Sequence, residues 1–381
     1  MGKGSVARMK DEERAQEERV LADWEPDKEA PAPEWNRKRV RRMIWRTRLG
    51  IAQNVVATLL LLFIVYSAYM ISVHIYYDTS GRSDEFKRYV ATLVELHEDG
   101  IQVDRRGHYS VELTPWLTQQ VTMKLYKSVG AWKVISGEVT AKKRLFGSVT
   151  YKLDINTEYL DENGQFSFSV PPDLLKDDPN RRQRNDSRDV WERLKHIGDG
   201  YVAEMAFSTA RGMEPDELWE LLSKYRVRIY SMPVYAGELK TLKNISYTSS
   251  RSGSEEQYYV PHLILRPYVK YSEHGWETVS WLSDRAVVWE SVEQMMKDIE
   301  WLSEKGDYRE ENDDLQRLEY LRQNGAKVYG AVVTGPVREL EKLQQETDLA
   351  YFQLGRTEIW NWRDEVIVET QVDGDEGESQ K

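Results

Sequence analysis

The chain of 381 residues contains no cysteine. That absence removes disulfide bridges, thiolate metal sites, iron–sulfur ligation and a Cys nucleophile. It also removes the attachment point of a lipoprotein anchor or a palmitoyl group. Histidine is scarce. His74, His97, His108, His196, His262 and His274 never form an HExxH pattern or stand four apart, so the commonest zinc signatures are missing. No Gly-x-Ser-x-Gly elbow occurs, which removes the commonest Ser hydrolase signal. A net charge of −11 argues against direct binding of nucleic acid.

What is present can build a core. Apolar residues make up 40% of the chain and aromatics 11%, too much for a wholly disordered polymer. The mean hydropathy of −0.66 suggests a soluble protein. One segment overrides that average. From Leu49 to Tyr77 there is no Asp, Glu, Lys or Arg, and the run includes Val55-Val56-Ala57-Thr58-Leu59-Leu60-Leu61-Leu62-Phe63-Ile64-Val65. About 20 apolar residues cross a bilayer core. A buried soluble helix of this length would carry a polar stripe, and this one has none.

The flanks give an orientation. Arg37, Lys38, Arg39, Arg41, Arg42, Arg46 and Arg48 form a basic collar with no acid among them, whereas Asp78, Asp84 and Glu85 mix with bases on the other side. The positive-inside rule places residues 1–48 in the cytoplasm and 78–381 outside. Trp45 and Tyr76 are the expected interface anchors. A cleaved signal peptide has only a handful of charged residues before its apolar core. The long segment ahead of this one makes an uncleaved signal anchor the expectation.

The reading divides the chain into six parts. Residues 1–48 are a cytoplasmic tail ending in the collar, and 49–77 are the transmembrane helix. Residues 78–170 begin with a juxtamembrane helix, with Phe86, Val90, Leu93, Val94 and His97 at helical spacing. They continue as a small antiparallel β domain of alternating runs such as QQVTMKLYKSV and AWKVISGEVTA. Residues 171–199 are a connector. Residues 200–363 carry a weak repeat of two β-α-β units, Val202–Tyr235 and Ala326–Trp360, with a strand over Tyr258–Leu265 and two helices between them. Residues 364–381 read as an acidic disordered tail. The fold class is α+β, with a ferredoxin-like C-terminal domain.

Chemical look-alikes fail on inspection. Gly330-Ala331-Val332-Val333-Thr334-Gly335-Pro336 has the glycine spacing of a phosphate loop. Pro336 stands where the Lys should be and has no N–H to offer a phosphate. Gly335 is expected to supply a tight turn and Pro336 to open a helix. Asp373 to Glu378 lacks the ligand spacing of a calcium loop. No cofactor, metal or catalytic site is expected.

The collar with its span (RKRVRRMIWRTRLGIAQNVVATLLLLFIVYSAYMI), the segment AEMAFSTARGMEPDELWELLSKYRVRIYSMPVYAGE, then KVYGAVVTGPVRELEKL and the terminal IWNW resemble the sigma factor regulator family of Gram-positive bacteria. Gly330, Gly335, Pro336, Trp360, Asn361 and Trp362 belong to the most specific part of that resemblance. The resemblance implies a membrane anti-sigma factor and not an enzyme. Its cytoplasmic tail would hold an extracytoplasmic-function sigma factor, and its outer domain would sense envelope state. Val20, Leu21, Trp24 and Trp35 are the apolar residues that would anchor sigma. Membrane lipid, and other envelope or membrane proteins, are further expected partners. The bland reading of residues 1–35 is a disordered tail with one nascent helix. The alternative function is a membrane-anchored binding module for wall polymer or another envelope protein.

Overall fold

The computed structural model describes residues 37–156, 165–175, 187–240, 246–252, 255–272, 275–306, 308–363 and 368–372. The chain divides into two units, Met1–Val73 and His74–Lys381. It is a mixed helical and antiparallel-sheet protein, and among the described residues one helix is long and apolar enough to cross a membrane.

That helix is α1 (Arg37–Thr79), which runs unbroken through the uncharged segment. Its side chains from Leu59 to Val65 are exposed, as a lipid-facing helix requires. The hydroxyls of Thr58 and Ser72 donate to the carbonyls of Asn54 and Ala68, at 2.9 and 2.8 Å. This satisfies polar groups that hydrocarbon cannot.

In the second unit, Gly81 takes a left-handed conformation (φ 68°) and starts α2 (Arg82–His97). The periodicity predicted a helix over Asp84–Glu98 with one apolar face. The observed helix is buried nearly all round from Tyr89 to Leu96, Glu95 included. It is the central helix of the unit.

The first sheet contains β1 (Gln102–Val103), β2 (Glu112–Leu113), β3 (Gln119–Val129), β4 (Trp132–Lys143) and β5 (Thr150–Ile155). Its order is β1-β3-β4-β5, and β2 also pairs with β3. Gly130 and Ala131 form the two-residue turn between β3 and β4. Gly130 has φ 65°, which favours glycine at the first position of such a loop.

Next come α3 (Arg188–His196), β6 (Tyr201–Met213), α4 (Pro215–Leu222), β7 (Arg228–Tyr235), β8 (Thr248–Ser252), β9 (Glu255–Tyr259) and β10 (Leu263–Leu265). After them lie β11 (Val269–Ser272), β12 (Gly275–Val279), α5 (Arg285–Lys305), α6 (Glu311–Asn324), β13 (Lys327–Pro336), α7 (Val337–Lys342), β14 (Leu349–Ile359) and β15 (Val368–Val372).

The second sheet is antiparallel throughout, in the order β10-β7-β13-β6-β14. Counting β6, β7, β13 and β14 as first to fourth, the repeat units give the order 4-1-3-2, with β10 added beside β7. Met205 lies opposite Val333, and Ala206 opposite Val332. Alternation sends the first pair into the large core with Leu218, Leu222, Leu340 and Leu343. The second pair meets Phe168, Val170, Leu174 and Val260 in a smaller core. The large core also takes in Phe86 and Leu93 of α2 and Val121, Met123 and Leu125 of β3.

Two segments differ from expectation. The strand foreseen over Tyr258–Leu265 is split, because Pro261 lacks the N–H a ladder needs. Its halves pair in different sheets, β9 with β8 and β10 with β7. Residues 368–372, within the tail read as disordered, form β15 against β12.

Candidate functional site

The four residues expected to anchor sigma, Val20, Leu21, Trp24 and Trp35, lie outside the described residues. The collar residues Arg37, Lys38, Arg39, Arg41, Arg42, Arg46 and Arg48 sit on the first turns of α1 with exposed side chains. No acid occupies the first turn of that helix. Cations there oppose the helix macrodipole, so the collar does not serve helix stability.

The motif residues at the other end converge on the β3–β4 turn. Asn361 accepts from the N–H of Ala131 at 2.9 Å and donates to the carbonyl of Val129 at 3.2 Å. The Thr334 hydroxyl accepts from the N–H of Gly130 and donates to the carbonyl of Ala203, both at 2.8 Å. Arg228 donates to the Gly130 carbonyl at 3.2 Å and to the Arg363 carbonyl. Its guanidinium lies 3.9 Å from the centre of the Trp281 ring and 4.7 Å from that of Trp362. The hairpin tip is thus tied to β13 and to the segment after β14. Trp360 remains half exposed.

Gly335 is not a turn residue. It lies within β13 opposite Ala203, where a Cβ would meet the Arg226 carbonyl oxygen at 2.9 Å. Pro336 ends that strand and immediately precedes α7. Gly330 lets the Phe168 ring approach, and a Cβ there would lie 2.5 Å from it. Gly330 and Gly335 thus allow close packing.

Charge buried around α2 was not foreseen. Glu95 receives Arg105 through both carboxylate oxygens at 2.6 Å, and the N–H of Val103 at 2.8 Å. Arg266 bridges Glu95 at 3.1 Å and Asp298 at 2.9 Å. Burial alone would raise the Glu95 pKa, but the two guanidinium groups outweigh it and lower it. For Asp298 burial prevails over Arg266, and its pKa is raised.

The end of α2 carries two histidine–carboxylate pairs. His97 contacts Asp314 at 3.0 Å, and Asp314 also accepts from Tyr308 and Arg317, each at 2.8 Å. His262 contacts Asp99 at 2.7 Å. Burial lowers the affinity of each imidazole for a proton, but the facing carboxylate prevails and raises both pKa values. Arg317 also lies 3.2 Å from Glu238 and donates to the carbonyl of Pro261. The one signal in the sequence was the placement of Glu95, His97 and Asp99 on or beside an apolar helical stripe.

Two cavities open beside these networks. One, of about 500 Å³, is lined by Glu95, Arg105, Arg266 and Tyr230. The other, of about 620 Å³, is lined by Arg88, Arg106, Tyr109 and Trp276. Both lie in the size range of small-molecule sites. Among the described residues no cluster of His, Asp and Glu is placed to hold a metal ion.

Residues 194–356 match the family described as sigma factor regulator C-terminal. The matched segment runs from the end of α3 into β14, so it contains the 4-1-3-2 strands and the Gly330–Pro336 segment. A relative named probable anti-sigma-M factor YhdL, from Bacillus subtilis (strain 168), is 22% identical over 301 residues. That alignment covers 76% of this chain and 74% of the relative. No solved structure matches the chain. Together these matches support a sigma factor regulator family for the segment over residues 194–356.

Proposed function

We propose that this protein is a single-pass membrane anti-sigma factor. Its tail, residues 1–48, sequesters an extracytoplasmic-function sigma factor on the cytoplasmic side. The second unit lies outside and senses the state of the envelope. The observation that carries the reading is the family segment 194–356 on the same chain as one apolar helix with a basic collar. A relative aligned over three quarters of the chain and named for an anti-sigma role supports it. The 4-1-3-2 order of β6, β7, β13 and β14 supports a ferredoxin-like C-terminal domain.

The chemistry of holding sigma is apolar anchoring by Val20, Leu21, Trp24 and Trp35, with the acidic run Asp11 to Glu18 facing a basic sigma surface. The collar binds anionic lipid and sets the topology. Relay has a short covalent path. Two residues, Ser80 and Gly81, separate α1 from α2, and α2 carries the buried ion pairs. The account involves no catalytic step and no contact with nucleic acid.

Deleting residues 1–48 tests the reading. Sigma-dependent transcription should rise, and co-purification of a sigma factor should be lost. Unchanged transcription together with no captured sigma factor would contradict it. The two cavities favour a second reading, an anchored module that binds wall polymer or another envelope protein. In that case a foreign tail could replace residues 1–48 without effect.

A further inference from the structure

We propose that the larger cavity is an anion site, in which Arg88 holds a phosphate group edge-on. Arg88 lies on α2, and its guanidinium is stacked between two rings, 4.1 Å from the centre of Tyr271 and 4.0 Å from that of Trp301. These ring contacts give its N–H groups no conventional hydrogen-bond acceptor. Among the described residues none forms a hydrogen bond or an ion pair with it, and its Nε is buried without a partner.

Arg88 is half-buried, and its lack of a partner sets it apart from the other enclosed arginines of the unit. Arg105 has Glu95, Arg266 has Glu95 and Asp298, and Arg317 has Asp314 and Glu238. Arg228 has two carbonyl oxygens. Leaving its buried Nε without a partner is costly, and cation–π contact offsets only part of that cost. The structure supplies the missing space: Arg88 lines the cavity of about 620 Å³.

The neighbouring charges select the ligand. Lys87, Arg106 and Lys305 line the same cavity. The acids at its rim are already engaged, Asp84 with Lys87 at 2.6 Å and Glu85 with Lys305 at 3.4 Å. Arg106 reaches Glu369 at 3.2 Å. Those pairs are exposed on at least one side and can exchange partners at little cost. A phosphate, whose several oxygens can meet a guanidinium fork and further cations at once, fits the site better than a single carboxylate does. The phosphate can belong to a soluble ester or to a phospholipid headgroup, and the test below separates these sources.

The full chain is held in a neutral maltoside detergent without phosphate. It is titrated calorimetrically with inorganic phosphate and with glycerol 3-phosphate. Saturable binding is expected. Arg88→Gln should weaken it about tenfold or more, the scale of lost charge-assisted hydrogen bonds. Arg88→Lys, which keeps the charge but not the fork, should fall between. The exposed pair Asp84→Asn and Glu85→Gln, made together, should tighten binding. Repeating the glycerol 3-phosphate titration in phosphatidylglycerol nanodiscs assigns the source. Weaker apparent binding there means that headgroups occupy the site, and unchanged binding means a soluble ester.

No saturable binding of either probe in detergent, or wild-type affinity in Arg88→Gln, overturns the proposal. If Arg88→Gln does not fold, the Asp84/Glu85 variant decides, and unchanged affinity overturns it. The site does not depend on the sigma-factor reading. Its failure would leave capture by residues 1–48 intact, and failure of that capture would leave the site intact.

Discussion

The side chain of Asn361 fills the space where Gly130 would otherwise carry a Cβ, with its Oδ1 1.8 Å from that position. Gly130 therefore does two things: it adopts φ 65°, and it admits the amide that ties the hairpin tip to the segment after β14. Gly130→Ala meets both the backbone strain and the clash, and should destabilise the second unit by about 2–4 kcal/mol. Asn361→Ala removes two hydrogen bonds and should cost about 1–3 kcal/mol. Calorimetric Tm values of the two variants check the ranking. Equal, unshifted Tm values would contradict the clamp.

Glu95 is the shared acceptor of Arg105 and Arg266. Among the described residues, Glu95→Ala would take the only paired carboxylate from Arg105 and leave Arg266 with Asp298 alone, and should cost about 3–5 kcal/mol. Denaturant unfolding with unchanged m-value checks this, and a loss below about 1 kcal/mol would show that the network is replaceable.

His97 and His262 give the unit a pH dependence. Each has a folded-state pKa raised above the ordinary 6.5 by a facing carboxylate, Asp314 and Asp99 respectively, against the opposing effect of burial. The sign follows from linkage. Their stabilisation is fully present below the unfolded pKa and is lost as pH rises through the folded pKa. Arg317 and Tyr308 face the same network with pKa values raised further above that window, and Glu238, whose pKa burial raises, faces it too. Tm should fall above about pH 6.5 in the wild type. The fall should shrink in the His97→Gln, His262→Gln double variant. Equal slopes in the two proteins would contradict the assignment.

The collar is open to a topology test. Replacing Arg37, Lys38, Arg39, Arg41 and Arg42 with Gln removes most of the positive-inside signal. A C-terminal reporter active only outside the cytoplasm should lose signal, and full retention would contradict the orientation proposed.

Local patterns made much of the fold legible. The uncharged run became α1, and the helix over Glu310–Asn324 became α6 at Glu311–Asn324. The alternating runs QQVTMKLYKSV and AWKVISGEVTA became the paired strands β3 and β4. These signals lie within one element, where periodicity records burial. The strand β15 was not legible because Val368-Glu369-Thr370-Gln371-Val372 is polar and borders an acidic tail. What holds it is the ladder to β12, together with Lys133 on Glu369 at 2.7 Å.

The candidate site was only partly legible for the same reason. The resemblance singled out Asn361 and Trp362, but the partner of Asn361 lies some 230 positions away at the β3–β4 turn. Gly335 and Pro336 stood in a loop-like sequence, yet Gly335 proved to be a strand residue pressed against Arg226. Arg88, one of several bases on the mixed-charge flank of the span, gave no sign that Tyr271 and Trp301 would lie against it.

The most direct measurement is site-specific photo-cross-linking in living cells from Trp24 and Trp35, each replaced by a photoreactive residue in the full-length chain. The account predicts capture of one sigma factor, lost when Val20 and Leu21 are replaced by Asp. Capture of no sigma factor from either position, with sigma-dependent transcription unchanged on deletion of residues 1–48, would contradict it.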